Sequence, residues 1–152
     1  FGCEVPMNRE EVASMLKRAM EITNEALGSM TGPDGKPYLD HALRVMEQME
    51  TEDEKMVALL HDVVEDGDIS LRELKDAGFP YRVVQAVGQL TKRPDITYFD
   101  YIEDISCNPL AARVKAAEIR DNLDAVRVNK MSFCTFSLEE RAQKALKLLE
   151  HH

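Results

Sequence analysis

Ala58-Leu59-Leu60-His61-Asp62-Val63-Val64-Glu65-Asp66 is the stretch on which the reading of this chain turns. Wound as a helix, it sets His61 and Glu65 one turn apart on one face, with Asp62 and Asp66 stacked beside them. No lysine or arginine interrupts the run from Val57 to Ile69. A helix end frayed into solvent accounts for Glu65, Asp66 and Asp68. It does not account for His61-Asp62 between Leu59-Leu60 and Val63-Val64, because a charged aspartate is seldom buried without a partner. The pair is therefore read as functional.

Helical spacing extends on both sides. Asn8 caps a helix over about residues 9–27, with Val12, Met15, Leu16, Ala19 and Leu27 on its inner face. Residues 28–37 are dense in glycine and proline and form a loop, long for a helix connection and so a candidate functional loop. A helix opening at Tyr38 carries His41, Leu43, Val45 and Met46. Thr51 or Asp53 caps the helix of the central stretch, which Gly67 ends. Ser70 caps a short helix, and Pro80 sits in the first turn of another. Thr91-Lys92-Arg93-Pro94-Asp95 is a second, basic loop. A helix from Tyr98 to Cys107 follows, and Asn108-Pro109 opens a long one to about Val128. Ser137 and Glu140 make a capping box for a last helix, 138–149.

Valine and threonine nowhere alternate long enough for a strand. The expectation is an all-α, single-domain helical bundle of about seven or eight helices, spanning residues 7–148. Residues 149–152 read as the start of an expression tag and are set aside, which leaves His41 and His61 as the protein's histidines.

The chain has 152 residues, enough for one domain with a real core. Its 28 acids against 19 bases give a net charge of -9, which argues against nucleic acid or an anionic membrane as partner. Small phosphorylated ligands need only a local cation. No window approaches a membrane span. Cys3, Cys107 and Cys134 are odd in number and widely spaced, which points to a reducing cytoplasm. Oligomeric state is left open, a homo-oligomer included.

Two histidines on successive helices, with Asp62 beside the second, suit a transition metal such as manganese, zinc, iron or nickel better than calcium or magnesium. One further carboxylate would complete a mononuclear site with open positions, and the long helix is its natural source. There Glu118, Asp121 and Asn122 share a face, while Lys115, Arg120 and Asp124 read as solvent positions. Glu65 or Asp66, one turn past Asp62, is placed to take a proton from water. Lys92 and Arg93 are cations available to a phosphate.

The pieces Gly35-Lys36-Pro37-Tyr38-Leu39-Asp40-His41, Leu59-Leu60-His61-Asp62-Val63-Val64-Glu65-Asp66, Leu90-Thr91-Lys92-Arg93 and Lys115-Ala116-Ala117-Glu118 fall in that order. In them the chain resembles the HD-domain metal-dependent phosphohydrolases, particularly the hydrolase domain of RelA/SpoT-type alarmone enzymes and their small stand-alone relatives. The resemblance covers about Gly35 to Val126. It implies an all-helical fold, a metal that is usually manganese (with zinc, iron, nickel or cobalt as other candidates), and His41, His61 and Asp62 as ligands. It also implies Glu65-Asp66 as the pair that positions or deprotonates the attacking water, and Asn122 as a nucleotide contact. The family's last ligand is an aspartate; the matching residue here is Glu118, with Asp121 one turn later as a substitute. The family's Arg-Lys pair for the guanine base would fall at Met30 and Thr31, which can make no such contact.

The expected function is metal-dependent hydrolysis of a phosphoester or pyrophosphate bond in a nucleotide-type substrate. Lys92, Arg93, Lys36, Asn122 and Tyr98 are the expected substrate contacts. The alternatives are a 3′-pyrophosphohydrolase specific for guanosine tetra- or pentaphosphate, and a non-catalytic module that senses a nucleotide. A helical interaction domain with merely solvated acids is the third.

Overall fold

A computed structural model describes residues 8–29, 38–66, 69–128 and 134–150. Within them the chain forms eight helices: α1 (Arg9–Leu27), α2 (Tyr38–Glu47), α3 (Glu52–Asp66), α4 (Leu71–Asp76), α5 (Tyr81–Leu90), α6 (Tyr98–Ser106), α7 (Pro109–Val128) and α8 (Cys134–Glu150). The described residues contain no strand. None of their helices is long and apolar enough to cross a membrane.

Local chemistry sets most boundaries. The Asn8 side chain accepts from the Glu11 amide, Ser70 from Glu73 and Thr97 from Asp100. Each supplies one of the acceptors that a helix N-terminus lacks. Thr51, rather than Asp53, opens α3, in a reciprocal capping box. Its hydroxyl accepts from the Glu54 amide at 3.2 Å, and the Glu54 carboxylate accepts from the Thr51 amide at 3.4 Å. Asp53 instead pairs with Arg82 of α5. Pro80 is the cap residue of α5 rather than part of its first turn. Asn108 accepts from the Leu110 amide at 3.1 Å, and Pro109 starts α7.

The last helix also differs from expectation. The last helix begins at Cys134, so Ser137 lies inside it and does not cap it. No glycine or proline separates Cys134 from Ser137, and serine is tolerated in a helix that its neighbours already favour. At the other end, α8 runs through Leu149 and Glu150, the first two of the residues 149–152 set aside as tag sequence. Leu149 is buried in the core and Glu150 pairs with Arg120 of α7.

Helix α3 is the axis. Met56, Val57, Ala58, Leu59, Leu60 and Val63 are fully buried on every side of it, because α1, α2, α5 and α7 all pack against it. A helix that is apolar all round belongs inside a domain. Each buried leucine there contributes about 1.5–3 kcal/mol. The same enclosure buries His61 and Asp62 in the middle of this helix. On the α7 side, Ala111, Ala112, Ala116 and Ala117 are buried, and such small side chains leave room for neighbouring helices to approach.

Candidate metal centre

Three helices deliver the site. α2 supplies His41, α3 supplies His61 and Asp62, and α7 supplies Glu118 and Asp121; all five are buried. One ligand atom from each of His41, Asp62 and Glu118 lies within 4.8 Å of the other two. His61 completes the group. Its Nε2 is 2.8 Å from Glu118 Oε2 and 3.2 Å from Asp62 Oδ1. Atoms bound to one ion at about 2.0–2.2 Å stand roughly 3–3.4 Å apart; the His61–Asp62 separation falls in that range, and His61 and Glu118 are slightly closer, at hydrogen-bond distance. The donor set, imidazole with carboxylate, suits a divalent transition metal. The residues present therefore fit the group that the sequence pattern implies.

Outer contacts hold the imidazoles in place. His61 Nδ1 donates to the Ala58 carbonyl at 2.9 Å and lies 3.2 Å from the Val57 carbonyl, which turns Nε2 towards the carboxylates. His41 Nδ1 donates to Asp121 Oδ2, which leaves its Nε2 as the nitrogen for an ion. Asp121 is itself gripped by Arg44, with Nε to Oδ1 at 2.9 Å and Nη2 to Oδ2 at 3.1 Å. This is the carboxylate–histidine arrangement that fixes tautomer and orientation around a metal. Asp121 thus sits behind His41, and Glu118 is the carboxylate that enters the cluster. Asp121→Asn is expected to weaken metal binding by about 10–100-fold without removing it, a shift readable by calorimetric titration.

The electrostatics are those of a site poised around positive charge. Burial works to lower the pKa of His61, but the adjacent Asp62 and Glu118 carboxylates prevail and push it up to about 10. An imidazolium therefore stands among carboxylates where a cation belongs. Glu118 is held well below the usual carboxylate range: burial opposes its ionisation, and Lys115 and His61 more than offset that. Asp121 is likewise lowered, by Arg44 and His41 against its burial.

The remaining expected residues fall in three groups. Glu65 is exposed at the end of α3, near enough to act electrostatically on Lys115 and Tyr101. Lys92 and Arg93 are exposed but engaged. The Lys92 ammonium donates to the Arg93 and Ile96 carbonyls at 3.2 and 2.9 Å, and Arg93 pairs with Asp95 at 3.6 Å. Tyr98 is half-buried at the start of α6, with the Arg141 guanidinium 4.4 Å from its ring centre. Lys36, with Met30 and Thr31, lies outside the described residues; so do the side chains of Asp66 and Asn122, whose backbones belong to α3 and α7.

Two site residues were not foreseen. Arg44 lies one turn from His41 on the same face of α2, a spacing that could have revealed it. Lys115, read as a solvent position, is buried, with Nζ 3.5 Å from Glu118 Oε1 and 5.3 Å from the centre of the Tyr101 ring. Its place three residues before Glu118 on α7 was the available signal.

An all-helical bundle with a buried His-Asp pair facing two further helices is the architecture expected of HD-type hydrolases. Comparison with known proteins bears out that resemblance. The chain is 30% identical over 154 residues to the guanosine-3′,5′-bis(diphosphate) 3′-pyrophosphohydrolase of Aquifex aeolicus (strain VF5), across 95% of this chain and 21% of that protein. It therefore spans about a fifth of the length of the curated relative it matches. Its fold is similar to that of a metazoan orthologue of SpoT that hydrolyzes ppGpp and plays a role in starvation responses. That match has a TM-score of 0.73 and 20% identity and covers 96% of this chain and 88% of the other. No protein-family model matches the chain.

Proposed function

We propose that this chain is a metal-dependent hydrolase of phosphoester or pyrophosphate bonds in a nucleotide-type substrate. The observation that carries the proposal is the buried cluster of His41, Asp62 and Glu118 ligand atoms within 4.8 Å of one another, with His61 Nε2 beside the last two. In this reading those four residues hold the ion, which is manganese by resemblance. When bound, it supplies the Lewis acidity that makes water nucleophilic near neutral pH and polarises a phosphoryl oxygen. Glu65, at the rim of α3, accepts the water proton as the new P–O bond forms, with Asp66 as its partner. The bond to the leaving phosphate or nucleoside oxygen breaks in the same displacement, and that oxygen takes up a proton from solvent. Lys92 and Arg93, with Lys36, Asn122 and Tyr98, meet the substrate, the first two by exchanging their loop contacts for phosphate oxygens.

A glutamate in place of the family's aspartate favours a dead, sensing module; the reach of the Glu118 carboxylate to within 4.8 Å of the His41 and Asp62 ligand atoms supports an enzyme. Within the hydrolases, the activity named for the Aquifex aeolicus protein favours guanosine 3′,5′-bis(diphosphate) as a specific substrate. Met30 and Thr31 in place of a cationic pair favour a less selective enzyme. Phosphate and pyrophosphate release across a nucleotide panel, with manganese, separates the two. A site that hydrogen-bonds its base discriminates by about 10⁴-fold or more, and one without such contacts by about 10–200-fold. The second, smaller spread is expected. Nucleotide binding without turnover under any divalent metal would mark a sensor instead.

A further inference from the structure

Lys115 is the one lysine or arginine buried among the described residues. It is not isolated by accident of packing. Its ammonium lies 3.5 Å from Glu118 Oε1, the oxygen opposite the one that faces His61, and rests over the Tyr101 ring. Tyr101 is itself fixed, its hydroxyl donating to the Leu90 carbonyl. Glu65 and Tyr98 also lie near enough to act on it electrostatically, and it acts in turn on His61. Burying an ammonium is costly, and well-packed apolar side chains usually replace a buried ion pair without loss of stability. The apolar core does not itself call for a cation here; Lys115 is tied to the buried carboxylate of Glu118.

The charges around the cluster suggest its use. Asp121 is already matched by Arg44. Inside the cluster, the two carboxylates of Asp62 and Glu118 balance a divalent ion and leave neutral imidazoles. A site so balanced has no surplus charge with which to hold a phosphate, and Glu65 at its rim is repulsive. The ammonium of Lys115 offsets that repulsion.

We propose that Lys115 is a positioning residue whose charge offsets Glu65 beside the metal-loaded site, so that the pocket accepts a polyanionic phosphate group instead of merely holding an ion. The inference rests on the metal-hydrolase reading above. It assigns Lys115 no contact with the reacting atoms; the residue acts through Glu118 and through the field it adds.

The test uses the full chain, loaded with Mn²⁺, and inorganic pyrophosphate as the probe, both followed by calorimetric titration. Lys115→Met is expected to bind Mn²⁺ at least as tightly as the parent, because a repelling cation has gone. Its affinity for pyrophosphate is expected to fall on the order of 100-fold, the effect of one unit charge about 6 Å away at an effective dielectric near 20. Lys115→Arg keeps the charge and should hold pyrophosphate within roughly threefold of the parent, whether or not the methionine variant folds. A Lys115→Met protein that loses Mn²⁺ yet binds pyrophosphate normally when saturated with the ion would overturn the proposal and make Lys115 a prop for Glu118. So would a folded, Mn²⁺-loaded Lys115→Arg protein that no longer binds pyrophosphate. A parent chain that binds no divalent ion overturns the metal reading itself, and this inference with it.

Discussion

His61→Ala is expected to reduce metal affinity by well over about 100-fold, since even the partners behind a ligand are worth about 10–100-fold. The reasoning follows from where the imidazole stands. It is buried in the middle of α3, and its Nε2 faces both Glu118 and Asp62. In the metal-free chain its proton serves as the positive charge between those carboxylates. Truncation removes both the ligand for an ion and the imidazolium that substitutes for one. Asp62 and Glu118 are then left facing each other in the buried interior, and breaking a buried ion pair in this way costs about 3–5 kcal/mol. Elemental analysis of the purified variant should find almost no transition metal, and its denaturation midpoint should fall. Far-ultraviolet circular dichroism identifies material that has stayed helical. A helical His61→Ala protein carrying as much metal as the parent would remove His61 from the ligand set.

Glu65→Ala is expected to do the opposite to metal and comparable damage to turnover. Glu65 shares the helix face of His61 but is exposed where α3 ends, so its loss disturbs neither the buried cluster nor the core. Metal content should match that of the parent. A positioned general base contributes about 10²–10⁴-fold, and hydrolysis of the best nucleotide in the panel should drop by that factor. A variant that hydrolyses as fast as the parent would show that the proton leaves by another route.

The fold could be read from the sequence to the extent that each helix announced itself through its cap and its spacing. Asn8, Ser70 and Asn108 marked starts that the structure reproduces. The exception, Ser137, shows the limit of such signals: a residue suited to a cap also suits a first turn, and only the preceding residues decide. In the site, the His61-Asp62 pair was legible because two charged-type residues inside an apolar run demand partners. Those partners were not legible from α3 alone. That Glu118 enters the cluster while Asp121 stands behind His41 depends on how α7 is rotated against α2 and α3. Tertiary packing sets that rotation, and both residues share the inward face. Lys115 was misplaced for the same reason. Lysine is almost always a surface residue, and only the carboxylate and tyrosine ring that enclose it make its burial tolerable.

Crystals of the chain soaked in Mn²⁺ and measured at the manganese absorption edge would test the central claim most directly. One anomalous peak is expected per chain, about 2.0–2.2 Å from His41 Nε2, His61 Nε2 and one oxygen each of Asp62 and Glu118, with His41 Nδ1 still on Asp121. A well-folded chain with no peak there at saturating manganese, and with His61 Nε2 still bonded to Glu118, would contradict the account.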